Sequence, residues 1–237
     1  MPRPSLRQIA AACIAGCLCS TPVFAQTAPT AAQAANYHGL HAAAWRGDPA
    51  GIARLAAGKA QLDARDAHGR TPVHVAAFAR QREAIRALAR AGANLDALEA
   101  DRYDAVTIAS VADDEETLRV LLALGASAKQ VTSRYDGTAL IAAAHLGHDG
   151  VVRQLIAAGA PLDHVNNLHW TAVIESIVLG DGGPRHQATL KALIDAGANL
   201  QLADRQGNTP LQLARSRGYT AMERMLEAAG AKQEPGR

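Results

Sequence analysis

Aliphatic and small residues recur along this chain with helical spacing, and glycine interrupts them at regular intervals. Apolar residues at i, i+3 and i+4 predict one buried face of a helix, and glycine favours a helix C-terminus. The intervals between successive Gly-Ala pairs are 33, 34, 38 and 33 residues, for Gly92-Ala93, Gly125-Ala126, Gly159-Ala160, Gly197-Ala198 and Gly230-Ala231. A fixed period of this length is typical of a repeat protein.

A second series of residues with matching steps marks the start of another helix in each unit. Thr can cap a helix, and Pro suits the first helical position because its missing N–H has no partner there. The series begins at Thr71, Asp104, Thr138, Thr171 and Thr209, and His38 extends it backwards by 33 residues. Two independent series therefore predict six helix–turn–helix units.

The unit resembles the ankyrin repeat. The motif Thr71-Pro72-Val73-His74 is followed by the small pair Ala76-Ala77 and then by Gly92-Ala93. The resemblance implies an all-α ankyrin-repeat solenoid whose β-turn loops project to one side. The expected repeats are 37–66, 67–99, 100–132, 133–166, 167–204 and 205–232, with a flexible leader at 26–36 and a tail at 233–237.

The N-terminus has the pattern of a cleaved secretory signal peptide. Arg3 and Arg7 precede a short apolar stretch, and Val23-Phe24-Ala25 forms a small-x-small cleavage site. We therefore expect cleavage after Ala25, a signal peptide at 1–25, and a periplasmic protein. A minor alternative is a lipid anchor on Cys17, because the residues before it resemble a bacterial lipobox.

Composition narrows the function classes. Aromatic residues make up only 3% of the chain and alanine contributes 54 residues, which favours closely stacked helices over a β-sandwich. Removing Arg3 and Arg7 leaves a formally neutral mature chain, which lacks the basic footprint of a nucleic-acid binder. The three cysteines all lie in the predicted signal, so we expect no disulfide framework. We also expect no transmembrane span, since the apolar stretches are too short.

The ankyrin resemblance implies a partner protein bound on a concave face, by loop tips and the exposed ends of first helices. Six of the seven aromatic residues after the signal occupy such positions, which predicts an aromatic-lined face. The opposing interpretation is that Trp45 and Phe78 pack against the next repeat. The candidate binding residues are Tyr37, Trp45, Arg70, Phe78, Tyr103, Val111, Arg134, Tyr135, His145, Leu146, Trp170, Val178, Asp181 and His186.

The fifth repeat departs from the others. Its 38-residue step predicts extra residues between its two helices, around Asp181 to His186, which form either a tolerated surface loop or a recognition loop. We expect Glu175 to occupy the helix position that Ala76 and Ala143 occupy in other repeats. A metal or small-ligand site built from Asp163, His164, His169 and Asp181 is a further hypothesis for this repeat.

The sequence therefore predicts a non-catalytic protein–protein interaction module without a cofactor. It contains neither a nucleophile motif nor a phosphate-binding loop, which argues against an enzyme. Resemblance to small periplasmic ankyrin proteins implies support of peroxide resistance. An immunity-type inhibitor of a toxic enzyme is the main rival within the binding class.

Overall fold

The computed structural model describes residues 26–232. Within them the regular secondary structure is helical, and the one pairing of β type is an isolated antiparallel bridge between Thr132 and Gly137. The helices of this part of the chain are α1 (Ala31–Ala35), α2 (Gly39–Arg46), α3 (Pro49–Ala57), α4 (Pro72–Phe78), α5 (Arg82–Ala91), α6 (Ala105–Val111), α7 (Glu115–Ala123), α8 (Ala139–Leu146), α9 (Asp149–Ala157), α10 (Ala172–Val178), α11 (Pro184–Asp195), α12 (Pro210–Ser216) and α13 (Thr220–Ala228).

The helices after α1 form six pairs stacked in two layers. The first helices of successive pairs (α2, α4, α6, α8, α10 and α12) pack on one another and form the first-helix layer. The second helices (α3, α5, α7, α9, α11 and α13) form a parallel second-helix layer. One pair falls within each predicted repeat interval, which confirms the all-α solenoid of six helix–turn–helix units.

Caps explain why each first helix begins at its Thr-like residue. The side-chain oxygens of Thr138 and Thr171 accept hydrogen bonds from the backbone N–H three residues later. Asp104 does the same for Thr107, while Thr209 forms a capping box with Gln212. These oxygens satisfy N–H groups that have no partner within the helix.

Small residues let the layers approach closely. Ala44, Ala76, Ala143 and Ala214 are fully buried at the centre of their first helices. The second helices contribute larger aliphatic residues, among them Leu88, Leu121 and Leu155 with no exposed surface. The core is therefore one continuous apolar ribbon along the stack, in which each repeat buries its surface against its neighbours.

The segment 26–36 is not a plain flexible leader, and that prediction is wrong for its helical part. Thr30 and Gln33 form a capping box that starts α1. The segment is also held from outside, because Arg70 Nη1 donates to the carbonyl of Thr27 at 3.0 Å. The alanine-rich sequence carried no signal for this long-range contact, since the anchoring residue, Arg70, lies in the second repeat.

The extra residues of the fifth repeat only partly form a loop, which corrects the prediction that they all lie between the two helices. Residues 179–183 connect α10 to α11, and α11 begins at Pro184. That helix has 12 residues, against 9 or 10 in the other second helices. Part of the insertion therefore extends the helix at its N-terminus, where Pro is well tolerated.

The predicted signal peptide and the tail at 233–237 lie outside the described residues. Between Gln26 and Lys232, every helix falls short of the length and apolarity needed to cross a bilayer.

Candidate protein-binding face and a buried carboxylate pocket

The loops between repeats are tight turns held by acidic or amide side chains. Asp66 Oδ1 accepts hydrogen bonds from the N–H groups of His68 and Arg70. Asp204 repeats this arrangement in the last loop, and Asn166 uses its side-chain oxygen in the same way for Leu168 and Trp170. These bonds fix the loop tips, so the side chains at the tips are presented on a rigid frame.

Two of the predicted binding residues are buried and therefore do not form an exposed face. Arg70 is 1% exposed, and its guanidinium reaches Asp66 at 2.8 Å and Gln33 at 3.2 Å. Tyr103 is 6% exposed. Sequence reasoning placed both residues at loop tips, and it missed that the N-terminal segment contacts Arg70 and that Tyr103 belongs to the hydrophobic core.

The cluster around Arg70 is strongly ionic. Burial by itself raises the pKa of Asp66, but hydrogen bonds from Arg70, Tyr37 and His68 outweigh it and lower the pKa to about 2. Burial together with the bond to Asp66 raises the pKa of the Tyr37 hydroxyl. Tyr37 also stacks on His41, with ring centroids 5.4 Å apart. Tyr37 is therefore half-buried in a structural cluster.

Trp45 and Phe78 are half-buried side chains packed against the core. Each lies near the end of a first helix, as the sequence predicted. They support the stack and also show part of their surface to solvent. Val111, Leu146 and Val178 are likewise half-buried near the ends of their first helices.

Tyr135 and Trp170 lie on adjoining loops. The backbone N–H of Asn167 donates to the carbonyl of Tyr135 at 2.9 Å, and the Asn167 side chain donates to the carbonyl of Arg134 at 2.9 Å. Tyr135 and Trp170 are half-buried, and the Arg134 side chain is 76% exposed. These three residues therefore form a partly accessible group on two adjoining loops.

The insertion of the fifth repeat is fastened to its neighbours. His186 Nδ1 lies 2.8 Å from Asp181 Oδ1, and its Nε2 lies 2.9 Å from the carbonyl of His145. Tyr219 donates to the carbonyl of Gly180 at 2.9 Å from the other side. His186 is therefore a structural contact with its side chain 12% exposed, whereas Asp181 stays 77% exposed.

Glu175 is the unexpected acid of the first-helix layer. It is the fourth residue of α10 and 2% exposed, and its equivalents in α4 and α8 are Val75 and Ala142. The comparison with Ala76 and Ala143 made from sequence was therefore shifted by one residue. Glu175 Oε1 accepts from Asn166 Nδ2 at 2.8 Å, and its Oε2 lies 3.2 Å from His145 Nδ1.

A cavity of about 20 Å³ lies beside this carboxylate, between repeats three, four and five. Hydroxyl groups and a carboxylate form its polar part, while aromatic and aliphatic side chains form the rest. The lining residues are Tyr103, Thr107, Thr132, Ser133, Tyr135, Gly137, Thr138, Ile141, Ala142, Asn166, Leu168, Glu175 and Leu179. Sequence reasoning singled out Glu175 and Tyr135 separately, but only the stacking of repeats brings them to one pocket.

The residues of the metal hypothesis do not converge. Asp163 accepts from the N–H of Asn199 at 2.7 Å, His164 Nε2 lies 2.6 Å from the carbonyl of Asp136, and Asp181 pairs with His186. Over residues 26–232, no three His, Cys, Asp or Glu side chains are grouped so that they could hold a metal ion.

The stacked helix pairs and their rigid loops define a repeat scaffold that presents side chains for binding. The family model of three ankyrin repeats matches residues 40–132, and the single ankyrin-repeat model matches residues 135–167. The chain therefore belongs to the ankyrin-repeat family. Proteins of this family are generally non-catalytic and serve as protein-interaction modules.

Two curated proteins are similar over part of the chain. A putative ankyrin repeat protein, YahD of Escherichia coli strain K12, is 40% identical over 100 residues, which cover 42% of this chain and 50% of YahD. The ankyrin repeat and KH domain-containing protein mask-1 of Caenorhabditis elegans is 33% identical over 99 residues, which cover 41% of this chain and 4% of mask-1. The matched part is thus half or less of each relative.

Solved ankyrin structures match most of the chain. An ankyrin repeat domain from Acinetobacter baumannii AYE is 44% identical with a TM-score of 0.77, and the match covers 81% of this chain and 98% of that one. The ankyrin repeat domain of Bcl-3, a member of the IkappaB protein family, is 26% identical with a TM-score of 0.74 and coverages of 83% and 88%. These matches agree with the observed fold.

Proposed function

We propose that this chain is a non-catalytic module that binds a partner protein through its loop tips and first-helix layer, centred on repeats three to five. The observation that supports this most directly is that the exposed Arg134 and the half-buried aromatic residues Tyr135 and Trp170 lie on two loops joined by hydrogen bonds. Aromatic residues and arginine are enriched where protein interfaces carry their binding energy. Because the loops are rigid, little conformational entropy is lost when a partner binds.

A binding experiment with matched variants tests this proposal. The double variant Tyr135→Ala/Trp170→Ala removes the aromatic pair, and Arg153→Ala/Lys191→Ala changes two exposed residues of the second-helix layer. We expect partners crosslinked in cell extract to be captured by the wild-type protein and the second variant, and to be lost from the first. Circular dichroism checks that all three proteins fold. Capture of the same proteins by all three would contradict the proposed face.

The compartment is a separate proposal. Its support is the sequence of residues 1–25, with cleavage after Ala25 and a periplasmic mature chain. N-terminal sequencing of protein from fractionated cells should find Gln26 first in the periplasm, whereas lipidated Cys17 in the membrane fraction would contradict it. Support of peroxide resistance rests on resemblance alone, and the hydrogen peroxide sensitivity of a deletion strain tests it.

A further inference from the structure

The pocket beside Tyr135 differs chemically from the rest of the first-helix layer, because a buried carboxylate forms part of its lining. Glu175 receives one hydrogen bond from the neutral amide of Asn166 and lies at hydrogen-bond distance from His145 Nδ1. A carboxylate offers about four acceptor directions. About two of them therefore remain on Glu175 after these contacts.

Charge complementarity indicates what this carboxylate suits. A carboxylate withdrawn from water is stabilised by a nearby cation. Two arginines that adjoin lining residues in sequence already have acidic neighbours, since Arg102 lies 2.9 Å from Asp136 and Arg134 lies 3.9 Å from Asp101. Among the described residues that line the pocket, none carries a cationic side chain. Beyond its contact with His145, the carboxylate therefore suits a cation delivered from outside.

Size selects among cations. A cavity of about 20 Å³ holds one water-sized group, since roughly 10–15 Å³ of such volume admits a water molecule. The ammonium group of lysine is a compact point charge of similar size, whereas the guanidinium of arginine is a wider planar fork. The half-buried residues Tyr135, Leu168 and Leu179 complete the lining and suit the aliphatic stem of a lysine.

We infer that this pocket receives a lysine side chain of the partner protein, whose ammonium pairs with Glu175 while its stem packs on Leu168 and Leu179. This inference rests on the proposed function, because it names the chemistry with which the partner enters the face. Hydroxyl groups of Thr107 and Thr138 in the lining offer further acceptors for the ammonium protons.

The wild-type protein alone can test the pocket with a small probe. n-Butylammonium chloride carries a lysine-like head and stem, and n-butanol is its neutral counterpart. We expect n-butylammonium to cause saturable NMR shifts at the residues lining the pocket, and n-butanol at equal concentration to bind at least tenfold more weakly. Equal binding would assign the pocket to an apolar side chain, and no saturable shift with either probe would also overturn the inference.

A matched pair of variants isolates the charge. Glu175→Gln keeps the shape and can still accept from Asn166, and Asp195→Asn removes an exposed carboxylate of the same repeat that lies in the second-helix layer. We expect n-butylammonium binding to weaken at least tenfold in E175Q and to stay within twofold of wild type in D195N. Equal binding to E175Q and wild type would overturn the role of Glu175.

A third experiment separates this inference from the proposed function. Cell extract is acetylated on its lysines before capture, and untreated extract is used in parallel. We expect partner capture to fall at least tenfold after acetylation. Capture that survives acetylation would overturn the lysine inference and leave the proposed function standing. If untreated extract yields no partner, the proposed function fails, while the butylammonium titration still decides the chemistry of the pocket.

Discussion

At the scale of single residues, the contact of His74 with the third repeat determines the protonation state of its imidazole ring. His74 Nδ1 accepts from the N–H of Thr71, and Nε2 lies 3.0 Å from the carbonyl of Tyr103. These neighbours require a neutral ring with its proton on Nε2. Burial lowers the pKa of His74 to about 4, although the carbonyls around it act in the opposite direction.

Asp104, which caps α6, has the opposite titration behaviour. Burial raises the pKa of its carboxyl to about 6, and the hydrogen bonds with Thr107 only partly offset this. The folded state therefore favours a protonated Asp104, so the contribution of this residue to stability is lost as the pH rises from about 4 through 6. The contribution of His74 is lost as the pH falls from about 6.5 through 4.

Asp104 and His74 change the stability of the protein in opposite directions as the pH falls. We therefore predict that Asp104→Thr will make the loss of stability caused by His74 at acidic pH measurable. Thr occupies the equivalent position in four other repeats and can keep the cap. The pKa rise of Asp104 from 3.8 to about 6 corresponds to about 3 kcal/mol, since one pKa unit corresponds to about 1.4 kcal/mol. The variant should therefore be more stable to urea at pH 7 by up to about 3 kcal/mol. Its stability should then fall from pH 6.5 to 4 more steeply than that of wild type.

Urea unfolding of both proteins across this pH range measures the difference, and Asp101→Asn serves as the exposed acidic control. Parallel stability curves for wild type and Asp104→Thr would contradict the prediction.

At the scale of elements, the connector of the fifth repeat is packed against the sixth. Gly182 has a positive φ of 70°, and an added Cβ would lie 2.6 Å from the Tyr219 ring. Gly207 also has a positive φ, 82°, but an added Cβ there would meet no atom within 4 Å. Both glycines therefore have a left-handed backbone conformation, but only Gly182 has a neighbouring side chain in the space that a Cβ would occupy.

We therefore predict that Gly182→Ala will destabilise the protein more than Gly207→Ala. Gly207→Ala should lower the free energy of unfolding by about 1 kcal/mol, because alanine is strained in a left-handed backbone conformation. Gly182→Ala should lower it by about 2–3 kcal/mol, because the Tyr219 ring must also shift. Urea unfolding measures both losses. Equal losses would show that the Tyr219 ring moves away without cost.

The elements also show which parts of the fold were readable in advance. Six helix pairs follow from the glycine and threonine periods because caps and apolar spacing act locally. Helix α1 and the extension of α11 were missed for a different reason. The segment of α1 is held by a contact between Thr27 and Arg70, which are 43 residues apart. The extension of α11 comes from an insertion, and the sequence did not specify how many of the inserted residues join the helix and how many form the loop.

At the scale of the whole molecule, the stack is nearly one-dimensional, since each repeat contacts mainly its neighbours. An internal repeat has two stabilising interfaces and a terminal repeat has one. Leu140 and Leu211 occupy the same position in α8 and α12, and they are 0% and 2% exposed. They form a matched pair for measuring how position in the stack affects stability.

We predict that Leu140→Ala will lower the global free energy of unfolding by about 2–5 kcal/mol, the usual range for a buried leucine. Leu211→Ala should mainly loosen α12 and α13. Hydrogen exchange should therefore show faster exchange of most protected amides in the first variant, and only of amides in the last repeat in the second. Uniform acceleration by both variants would mean that the array unfolds as one unit.

The sequence by itself determined the repeat architecture, because helix caps, glycine ends and apolar periods are local properties that recur in each unit. Only the tertiary structure decided which of the predicted surface residues are accessible. Arg70 is buried where the N-terminal segment contacts it, and Tyr103 is buried in the shared core. Glu175 joined Tyr135 in one pocket because repeats stack. Contacts between residues about 30 or more positions apart depend on how the repeats pack, and the residues within one period do not specify them.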